Sequence, residues 1–192
     1  MSKSAIFFGA LFLLLGVGVF AIRLIHTGAY AVPGGAAFYA ALVLIAVGGY
    51  LLWSRKMGVF GWVVAAFSPI LMFPALYSIM GESEEVISLY AQNEAGEAVD
   101  LRLWIVDRED GAWLGMPRAK AVAHNLDGSE LQMLRRGELV CVVPVLHDDR
   151  PTVKTIHAMK VEKYAVARIA GSIGLYPLEA PDTTSVLRLD AC

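Results

Sequence analysis

The stretch LWIVDREDGAWLGM, from Leu103 to Met116, decides the fold of the second half of this chain. Leu103 and Ile105 carry the apolar side chains of one face, and Arg102 and Trp104 alternate with them. This period of two is typical of a β-strand with one buried face. The letters REDG then form a turn that ends in glycine, and AWLGM follows as a returning strand. The stretch therefore predicts a β-hairpin.

The residues around this hairpin predict further short strands and two helices. Strands are predicted at EVISLYAQ, LQMLRR, ELVCVVPVLH and SVLRLDA, and helices at RAKAVAHNL and over Thr152–Gly174. Pro151 stands just before the long helix, and Gly171 and Gly174 lie at its end, as helix boundaries favour. The order β-β-β-α-β-β-α-β indicates a small, mostly antiparallel β-barrel with two helices.

The first 81 residues differ in composition from the remainder. The chain of 192 residues is 57% hydrophobic, and its charge is unevenly divided. All 18 acidic residues follow Gly81, whereas Lys3, Arg23, Arg55 and Lys56 are the basic residues that precede it. The later part is therefore acidic, which argues against a nucleic-acid partner because phosphates need a basic face.

Three apolar runs in the first part are long enough to cross a bilayer, which takes about 20 residues. They extend over Ser4–Ile22, Ala36–Trp53 and Met57–Gly81. A secretory signal followed by buried core helices is the alternative, but the first run is long and two more follow it. The expected fold class is therefore a membrane α-helical anchor of three transmembrane helices over residues 1–81, followed by an α+β domain, a small β-barrel with two helices, over residues 82–192.

Small and ring-containing residues within these runs predict how the helices pack. Gly16, Gly18, Gly48 and Gly49 are expected to let neighbouring helices approach closely in lipid. Pro69 and Pro74 are expected to kink the third helix, because proline removes a backbone hydrogen bond.

The distribution of lysine and arginine predicts the orientation in the membrane. Lys3, Arg55 and Lys56 fall on one side, and Arg23 stands alone on the other. We therefore expect a bacterial inner-membrane protein whose N-terminus is cytoplasmic and whose C-terminal domain is periplasmic. A cytoplasmic domain stays open as the alternative, because few residues set the bias.

Two further features predict simple structural roles. Cys141 and Cys192 fit neither a CxxC pair nor a zinc pattern, and we expect two unpaired thiols. The acidic run GESEEV, which begins at Gly81, is expected to be the solvated exit from the membrane.

The second part of the chain resembles a known group of proteins. The hairpin LWIVDREDGAWLGM, followed by RAKAVAHNL, LRRGELVCVVPV, MKVEKYAVARIAG and a closing SVLRL, is similar to the split β-barrel proteins. These include the pyridoxamine-phosphate-oxidase-like flavin binders and the deazaflavin-dependent nitroreductases. The resemblance covers Glu85 to Asp190 and implies a split β-barrel with FMN or a deazaflavin as its class of cofactor.

The first part resembles a second group more distantly. The stretch GAYAVPGGAAFYAALVLIAVGGYLLWSRK is similar to the first hairpin of the membrane anchor in pyrroloquinoline-quinone glucose dehydrogenases. This resemblance implies a relation to quinone-linked respiratory proteins. Arg23 and His26, near the outer interface, could then touch a quinone head group, although snorkelling to the interface is the simpler use of such residues.

The barrel sequence departs from its family where the cofactor would be held. The Gly-Arg-x-Ser-Gly loop near the first hairpin is replaced by NEAGEAVDLRL, in which Arg102 is the basic residue. The motif EKYG becomes EKYA, and the helix before NL lacks the aromatic residue common in the family. The resemblance thus implies a retained scaffold with a weakened grip on the cofactor.

Arg118, Lys120, His124 and Arg102 are the predicted cofactor-binding residues. Arg118 and Lys120 open a predicted helix, where two cations and the helix N-terminus would suit a phosphate. His124 follows four residues after Lys120, on the same helix face, and could donate a proton. A solvated helix start and a surface histidine are the alternatives.

No metal site and no catalytic residue are predicted. His147, Asp148 and Asp149 are adjacent in a loop, where neighbouring side chains seldom converge on one ion. His157 and Glu162 are five residues apart and do not share one edge of a helix.

Two functions from different classes remain open on the sequence. The first is an accessory or binding subunit of an inner-membrane complex of respiratory or redox type, with the lipid bilayer and other membrane-protein subunits as partners. The second is a membrane-tethered flavin- or deazaflavin-type oxidoreductase that acts on a quinone or another lipophilic substrate. Fold alone does not choose between them.

Overall fold

The structure, a computed structural model, describes residues 2–26, 36–93 and 95–192. The chain divides into two compact units, Met1–Glu82 and Ser83–Cys192. The first unit contains only helices among its described residues, and the second contains all the described strands.

Three helices make up the first unit. They are α1 (Lys3–His26), α2 (Ala36–Ser54) and α3 (Gly58–Ser83). Their shared core contains Phe12, Leu44 and Leu51, none of which is exposed, and Ala75 of α3 joins it. The residues between α1 and α2, together with the side chains of Arg23 and His26, lie outside the described part, and so does the proposed quinone contact.

Fewer helices than expected meet the requirements of a membrane span by length and composition. Within the described residues, the segment Lys3–Ile22 of α1 does so, with a mean hydropathy of 2.7. The apolar part of α2, Phe38–Ser54, is shorter, and α3 counts only if its two bent halves form one span. The structure therefore contains one such helix, or two, where the sequence predicted three.

The prediction holds for Gly16, Gly48 and Pro69. A Cβ atom added at Gly16 would lie 2.7 Å from the carbonyl oxygen of Ala41, and one at Gly48 would lie 2.7 Å from the backbone nitrogen of Leu13. Both glycines therefore permit the close approach of α1 and α2. The helix α3 bends by 42° between its segments Gly58–Ile70 and Met72–Ser83, beside Pro69. Pro74 lies inside the second segment of α3, away from the bend. A Cβ atom added at Gly49 would meet nothing within 4 Å, and one at Gly18 would be in ordinary contact with Ile79 Cδ1 at 3.5 Å.

Six antiparallel strands close into a barrel in the second unit, in the order β1-β2-β3-β6-β5-β4. The strands are β1 (Val86–Gln92), β2 (Ala98–Arg108), β3 (Gly111–Pro117), β4 (Leu131–Arg135), β5 (Glu138–His147) and β6 (Thr184–Ala191). The hairpin that opened the sequence analysis is confirmed: Ile105 pairs with Leu114, and Arg108 pairs with Gly111.

Alternation along the strands separates the inside of the barrel from the outside. Ile87, Leu103, Ile105 and Leu187 belong to the inner core. The intervening residues Trp104, Val106, Trp113 and Val186 point outward and form a second core with the helices that cover the barrel. The period of two therefore supplies two apolar layers, because both faces of β2 and β3 are covered.

Three helices accompany the barrel, namely α4 (Arg118–Ala123), α5 (Arg150–Lys163) and α6 (Ala165–Ser172). The predicted single helix over Thr152–Gly174 is thus two helices. The break lies at Tyr164, whose backbone is extended with φ −97° and ψ 113°. The reason is tertiary, since the Tyr164 side chain is buried against the barrel and fixes its backbone there.

The expectation of two unpaired thiols is wrong. Cys141 of β5 and Cys192 form a disulfide across 51 residues of sequence. Their neighbours Val142 and Ala191 are partners in the ladder between β5 and β6. Closure of the barrel therefore brings the last residue of the sequence opposite Cys141, a pairing that sequence spacing does not reveal.

Candidate functional site

Charged residues converge at the start of β1. We call Glu84, Glu85, Asp107, Arg135 and Lys163 the carboxylate clamp. Arg135 donates to Glu85 at 2.8 Å and to Asp107 at 2.6 Å. Lys163 Nζ lies 2.5 Å from Glu85 Oε2 and donates to the carbonyl oxygen of Ile105 at 2.7 Å. The clamp therefore joins the starts of β1 and α6 to the ends of β2, β4 and α5.

Electrostatics within the clamp favour the charged forms of its members. Burial pushes the pKa of Glu85 upward, but hydrogen bonds from Lys163 and Arg135 outweigh this and hold it below its ordinary value. The hydrogen bond from Arg135 is the main cause of the lowered pKa of Asp107. The hydrogen bonds that Arg135 donates to Asp107 and Glu85 also raise its pKa. Glu85, Asp107, Arg135 and Lys163 therefore form a paired ion network rather than a set of groups poised to transfer protons. Oε2 of Glu84 is buried and has no hydrogen-bond partner among the described residues.

Glu84 and Tyr164 extend the clamp into the backbone. Glu84 Oε1 accepts hydrogen bonds from the amides of Ala165, at 2.7 Å, and Val166, at 3.3 Å, in the first turn of α6. Tyr164 is 1% exposed, and its hydroxyl oxygen accepts a hydrogen bond from the backbone amide of Ile105 at 2.8 Å. The same hydroxyl lies within hydrogen-bonding distance of the Glu85 carbonyl oxygen. Glu84 and Glu85 of the acidic run therefore hold the start of β1 against α5 and α6. The expectation that the run is only a solvated exit from the membrane is wrong for these two residues.

An open groove lies at the other end of β1. Its volume is about 750 Å³. The ladder between β1 and β4 ends where Tyr90 pairs with Gln132, and the groove opens beside that last pair. Its lining mixes hydrogen-bonding and small apolar side chains, among them Tyr90, Gln92, His124, Asn125, Ser129 and Gln132. This groove is the candidate binding site of the barrel.

His124 is the predicted site residue that lines the groove. It follows the last residue of α4 as the C-terminal cap. Its Nδ1 atom is buried and has no hydrogen-bond partner among the described residues. An unsatisfied buried nitrogen is uncommon in proteins, and a ligand or partner that supplied a hydrogen bond would relieve it.

The two predicted cations of α4 do not form an open phosphate site. Arg118 forms an ion pair with Asp148 at 2.6 Å, and Ser185 also donates a hydrogen bond to this aspartate. Lys120 is partly buried, and burial lowers the pKa of its amine, which disfavours the charged form. The helix α4 is only 6 residues long, so its dipole adds little.

Arg102 lies on the outer face of β2. Its guanidinium donates to the hydroxyl of Ser88 at 2.8 Å, and Ser88 in turn donates to Asp100 at 3.3 Å. Ser88 and Arg102 are partners in the ladder between β1 and β2. The structure therefore ties Arg102 into a local polar chain, as it ties Arg118 to Asp148, whereas His124 lines the groove.

The adjacent residues His147, Asp148 and Asp149 separate in the fold. The His147 ring lies 5.0 Å from the Trp113 ring. Asp148 pairs with Arg118, and Asp149 caps α5 by accepting from the amide of Thr152 at 3.0 Å. No group of three possible metal ligands occurs among the described residues.

A half-buried amine that the sequence analysis did not single out lies under the outer core. Lys160 Nζ lies 5.7 Å from the centre of the Tyr176 ring and beside Gly115 of β3, which has no side chain to fill that space. Burial lowers the pKa of Lys160 to about 8. The ring of His157 stacks on Tyr176 and its Nε2 lies 2.8 Å from the carbonyl oxygen of Pro177. No periodic signal distinguishes these residues, because β3 and the loop after α6 supply their environment.

The fold is a closed six-stranded antiparallel barrel with helices on its outer face, the coarse architecture that the sequence resemblance implied. No protein-family profile matches the chain, and no curated protein matches it. Among solved structures, HutZ, the heme storage protein from Vibrio cholerae, is 11% identical with a TM-score of 0.43, and the match covers 59% of this chain and 85% of HutZ.

ChuZ from Campylobacter jejuni is 9% identical with a TM-score of 0.40, over 58% of this chain and 50% of ChuZ. The chain therefore spans half the length of ChuZ. Similarity at 11% and 9% identity concerns the barrel fold alone. The storage of heme is stated of HutZ and not of this chain. Neither HutZ nor ChuZ is described as a flavin protein, a nitroreductase or a quinoprotein.

Proposed function

We propose that this protein is a membrane-anchored β-barrel that serves as an accessory or binding subunit of an inner-membrane complex of respiratory or redox type. Its partners would be the lipid bilayer and other membrane-protein subunits. One of these subunits would bind in the groove beside His124. The observation that carries this proposal is a contrast. The arginines expected to hold a phosphate are engaged by the barrel's own side chains. At the groove, in contrast, the buried Nδ1 of His124 has no hydrogen-bond partner among the described residues.

Membrane anchoring is supported by the surface of the first unit. Leu14 is 73% exposed and Ile70 is 69% exposed, although both are large and apolar. Such side chains are costly in water and suit lipid. The arrangement of three spans, in which α2 and the bent α3 also cross the bilayer, is part of the proposal.

A periplasmic barrel is supported by the disulfide between Cys141 and Cys192. Disulfides persist in oxidising compartments such as the bacterial periplasm and are rare in the reducing cytosol. The bond agrees with the orientation that the basic residues predict, with the N-terminus in the cytoplasm.

The residues present do not fit a flavin or deazaflavin phosphate. Asp148 neutralises Arg118 and would repel a second anion. Lys120 is the remaining cation of α4, and its lowered pKa shows that its surroundings disfavour charge. The predicted phosphate grip is therefore not proposed further.

A membrane-tethered oxidoreductase that acts on a quinone or lipophilic substrate is the second candidate. The buried Nδ1 of His124 favours it, since an unpartnered imidazole at the wall of a groove can hydrogen-bond a bound ring. This candidate requires a chromophore to be bound at the groove rather than at Arg118.

Site-specific cross-linking of the full chain in its native membrane tests the first proposal. A photoreactive residue is placed at Gln92 or Gln132, which line the groove, and at the exposed Lys154 or Thr155 of α5 as matched controls. We expect one defined inner-membrane protein to be linked from both groove positions and from neither control. Equal linking from all four positions, or none from the groove, would contradict the proposal.

The visible spectrum of the purified protein separates the two candidates. A colourless protein agrees with the accessory subunit. A flavin-type double peak in stoichiometric amount would favour the oxidoreductase, and a heme band would indicate the kind of ligand that HutZ is named for.

A further inference from the structure

Four large apolar side chains are exposed near the end of α6 and in the loop after it. We call Ile169, Ile173, Leu175 and Leu178 the apolar ledge. Their exposed fractions are 53%, 60%, 56% and 53%, respectively. The opposite face of α6 is buried against the outer core of the barrel through Val166, Ala167 and Ala170. The ledge is therefore the solvent-facing side of an element whose other side is already packed.

Backbone hydrogen bonds fold the loop back onto α6. The amide of Leu175 donates to the carbonyl of Ala170 at 2.8 Å, and that of Gly174 donates to Gly171 at 3.0 Å. Gly174 has φ +74°, so the helix ends in a Schellman motif. A Cβ atom at Gly171 would lie only 2.2 Å from Leu178 Cδ2. Gly171 thus lets Leu178 pack against the helix, and the helix and the loop present one apolar surface.

The ledge begins close to the point where the chain leaves α3. Ser83 is the last residue of α3, and Glu84, the next residue, accepts the amide protons of Ala165 and Val166. The first turn of α6 is therefore held within one hydrogen bond of the residue that follows α3. Since α6 has 8 residues and a helix rises 1.5 Å per residue, the end of α6, where the ledge lies, is about 12 Å from the first turn that Glu84 holds.

We propose that the apolar ledge inserts into the bilayer interface. This inference rests on the membrane anchoring in the proposed function, because a ledge held this close to the end of a membrane helix has the lipid interface within its reach. Exposed leucine and isoleucine on a short amphipathic element are the side chains that enter the boundary between head groups and acyl chains. The ledge would fix the orientation of the barrel on the membrane surface.

Spin-label accessibility in the full chain tests the ledge. Single cysteines replace Ile173 or Leu175, and the native disulfide is kept by labelling without reductant. The protein is reconstituted into vesicles of phosphatidylethanolamine and phosphatidylglycerol. We expect labels at both positions to collide with oxygen several-fold more than with a water-soluble nickel complex, as labels in the interface do.

Two control positions make the outcome interpretable. Leu14→Cys lies in the middle of the expected span of α1 and reports whether the anchor itself is in lipid. Val122→Cys is as exposed as the ledge, at 63%, but lies on α4 at the groove end of the barrel. We expect the first to be lipid-exposed and the second to be water-exposed.

Each other result overturns the proposal in a distinguishable way. If the ledge collides freely with the nickel complex while Leu14→Cys does not, the ledge is in water and only this inference fails. If Leu14→Cys is also in water, the membrane anchoring of the proposed function fails with it. If the ledge is shielded from both reagents, protein covers it, and dipolar broadening between labels then identifies a second copy of the chain as the cover.

Discussion

The two ends of β1 differ in how far their charged groups are paired, although each end keeps one buried atom without a hydrogen-bond partner among the described residues, Glu84 Oε2 at the start and His124 Nδ1 at the end. At the start of β1, the carboxylate clamp pairs Glu85 with Arg135 and Lys163, and the backbone also takes part. At its end, about 20 Å away for a strand of 7 residues, the groove leaves the Nδ1 of His124 without a partner among the described residues. The difference teaches that charge density alone does not mark the functional end of a barrel.

Saturation explains why the clamp is structural. Each of its ions already has partners, so a ligand would have to displace existing ion pairs and hydrogen bonds before it gained any of its own. The groove has the opposite character, since a ligand there can satisfy a group that the fold leaves unsatisfied. The clamp should therefore respond to substitution in stability, and the groove should respond in binding.

Breaking the disulfide should have the largest effect on stability. Cys141 is the ladder partner of Gln132, a residue of the groove wall. A cross-link over 51 residues stabilises by about 4 kcal/mol in the chain-entropy estimate. We expect reductant to lower the midpoint of urea unfolding of the barrel, which is monitored by tryptophan fluorescence of the protein in detergent. The double variant Cys141→Ser/Cys192→Ser serves as the control and should be insensitive to reductant; a wild type equally insensitive would contradict the structure.

The substitution Glu85→Gln should cost the next largest amount, about 3 kcal/mol, because it leaves Arg135 and Lys163 partly buried with a weaker partner. The same unfolding measurement checks it. Glu109→Gln on the exposed turn between β2 and β3 is a matched control that should change stability little. A loss of equal size in both variants would show that the clamp contributes nothing specific.

The clamp should also make stability depend on acidic pH. Glu85 and Asp107 have lowered pKa values in the fold, with ordinary values of 4.5 and 3.8. Their contribution is therefore fully present above these ordinary values and is lost as the pH falls through the lowered ones. We expect Glu85→Gln/Asp107→Asn to lose less stability than the wild type between pH 5 and the acid transition. If the stability of the double variant and that of the wild type fell in parallel with pH, the ion pairs of Glu85 and Asp107 would be refuted.

Lys160 should also make stability rise with pH, but in an alkaline window and because its charged form is destabilising in the fold. Its pKa falls from 10.5 to about 8 in the fold, so the unfolded chain binds more protons between these values and stability rises with pH across that window. Below about pH 8 the buried charge costs at most about 3 kcal/mol. We expect Lys160→Met to be more stable than the wild type at pH 7 and to lack this rise. Lys154→Met, on the exposed face of α5, should preserve it.

His124→Ala should have the smallest effect on stability, roughly 0.5 kcal/mol or less, because no hydrogen bond is lost with the unpartnered nitrogen. Cross-linking from Gln132 in this variant should nevertheless fall strongly if the groove is the binding surface. A large stability loss with unchanged cross-linking would reverse the comparison between the two ends of β1.

Part of the candidate site could be found from the sequence. His124 is placed at the groove by the prediction of a helix followed by a turn, since both are local. The engagement of Arg118 by Asp148 and the unpaired state of His124 Nδ1 could not be found, because both depend on strands and loops that lie apart in the sequence. The same holds for Glu85, whose partner Lys163 is 78 residues away.

The sequence by itself determined the elements of the fold. The alternation through Leu103 and Ile105 fixes a strand, and the long apolar runs fix helices, because backbone geometry repeats every 2 or about 3.6 residues whatever the partner is. Tertiary structure decided the break at Tyr164, the union of Cys141 with Cys192 and the fastening of Glu84 and Glu85. These depend on which residues closure of the barrel brings together over long separations, and no local period records that choice.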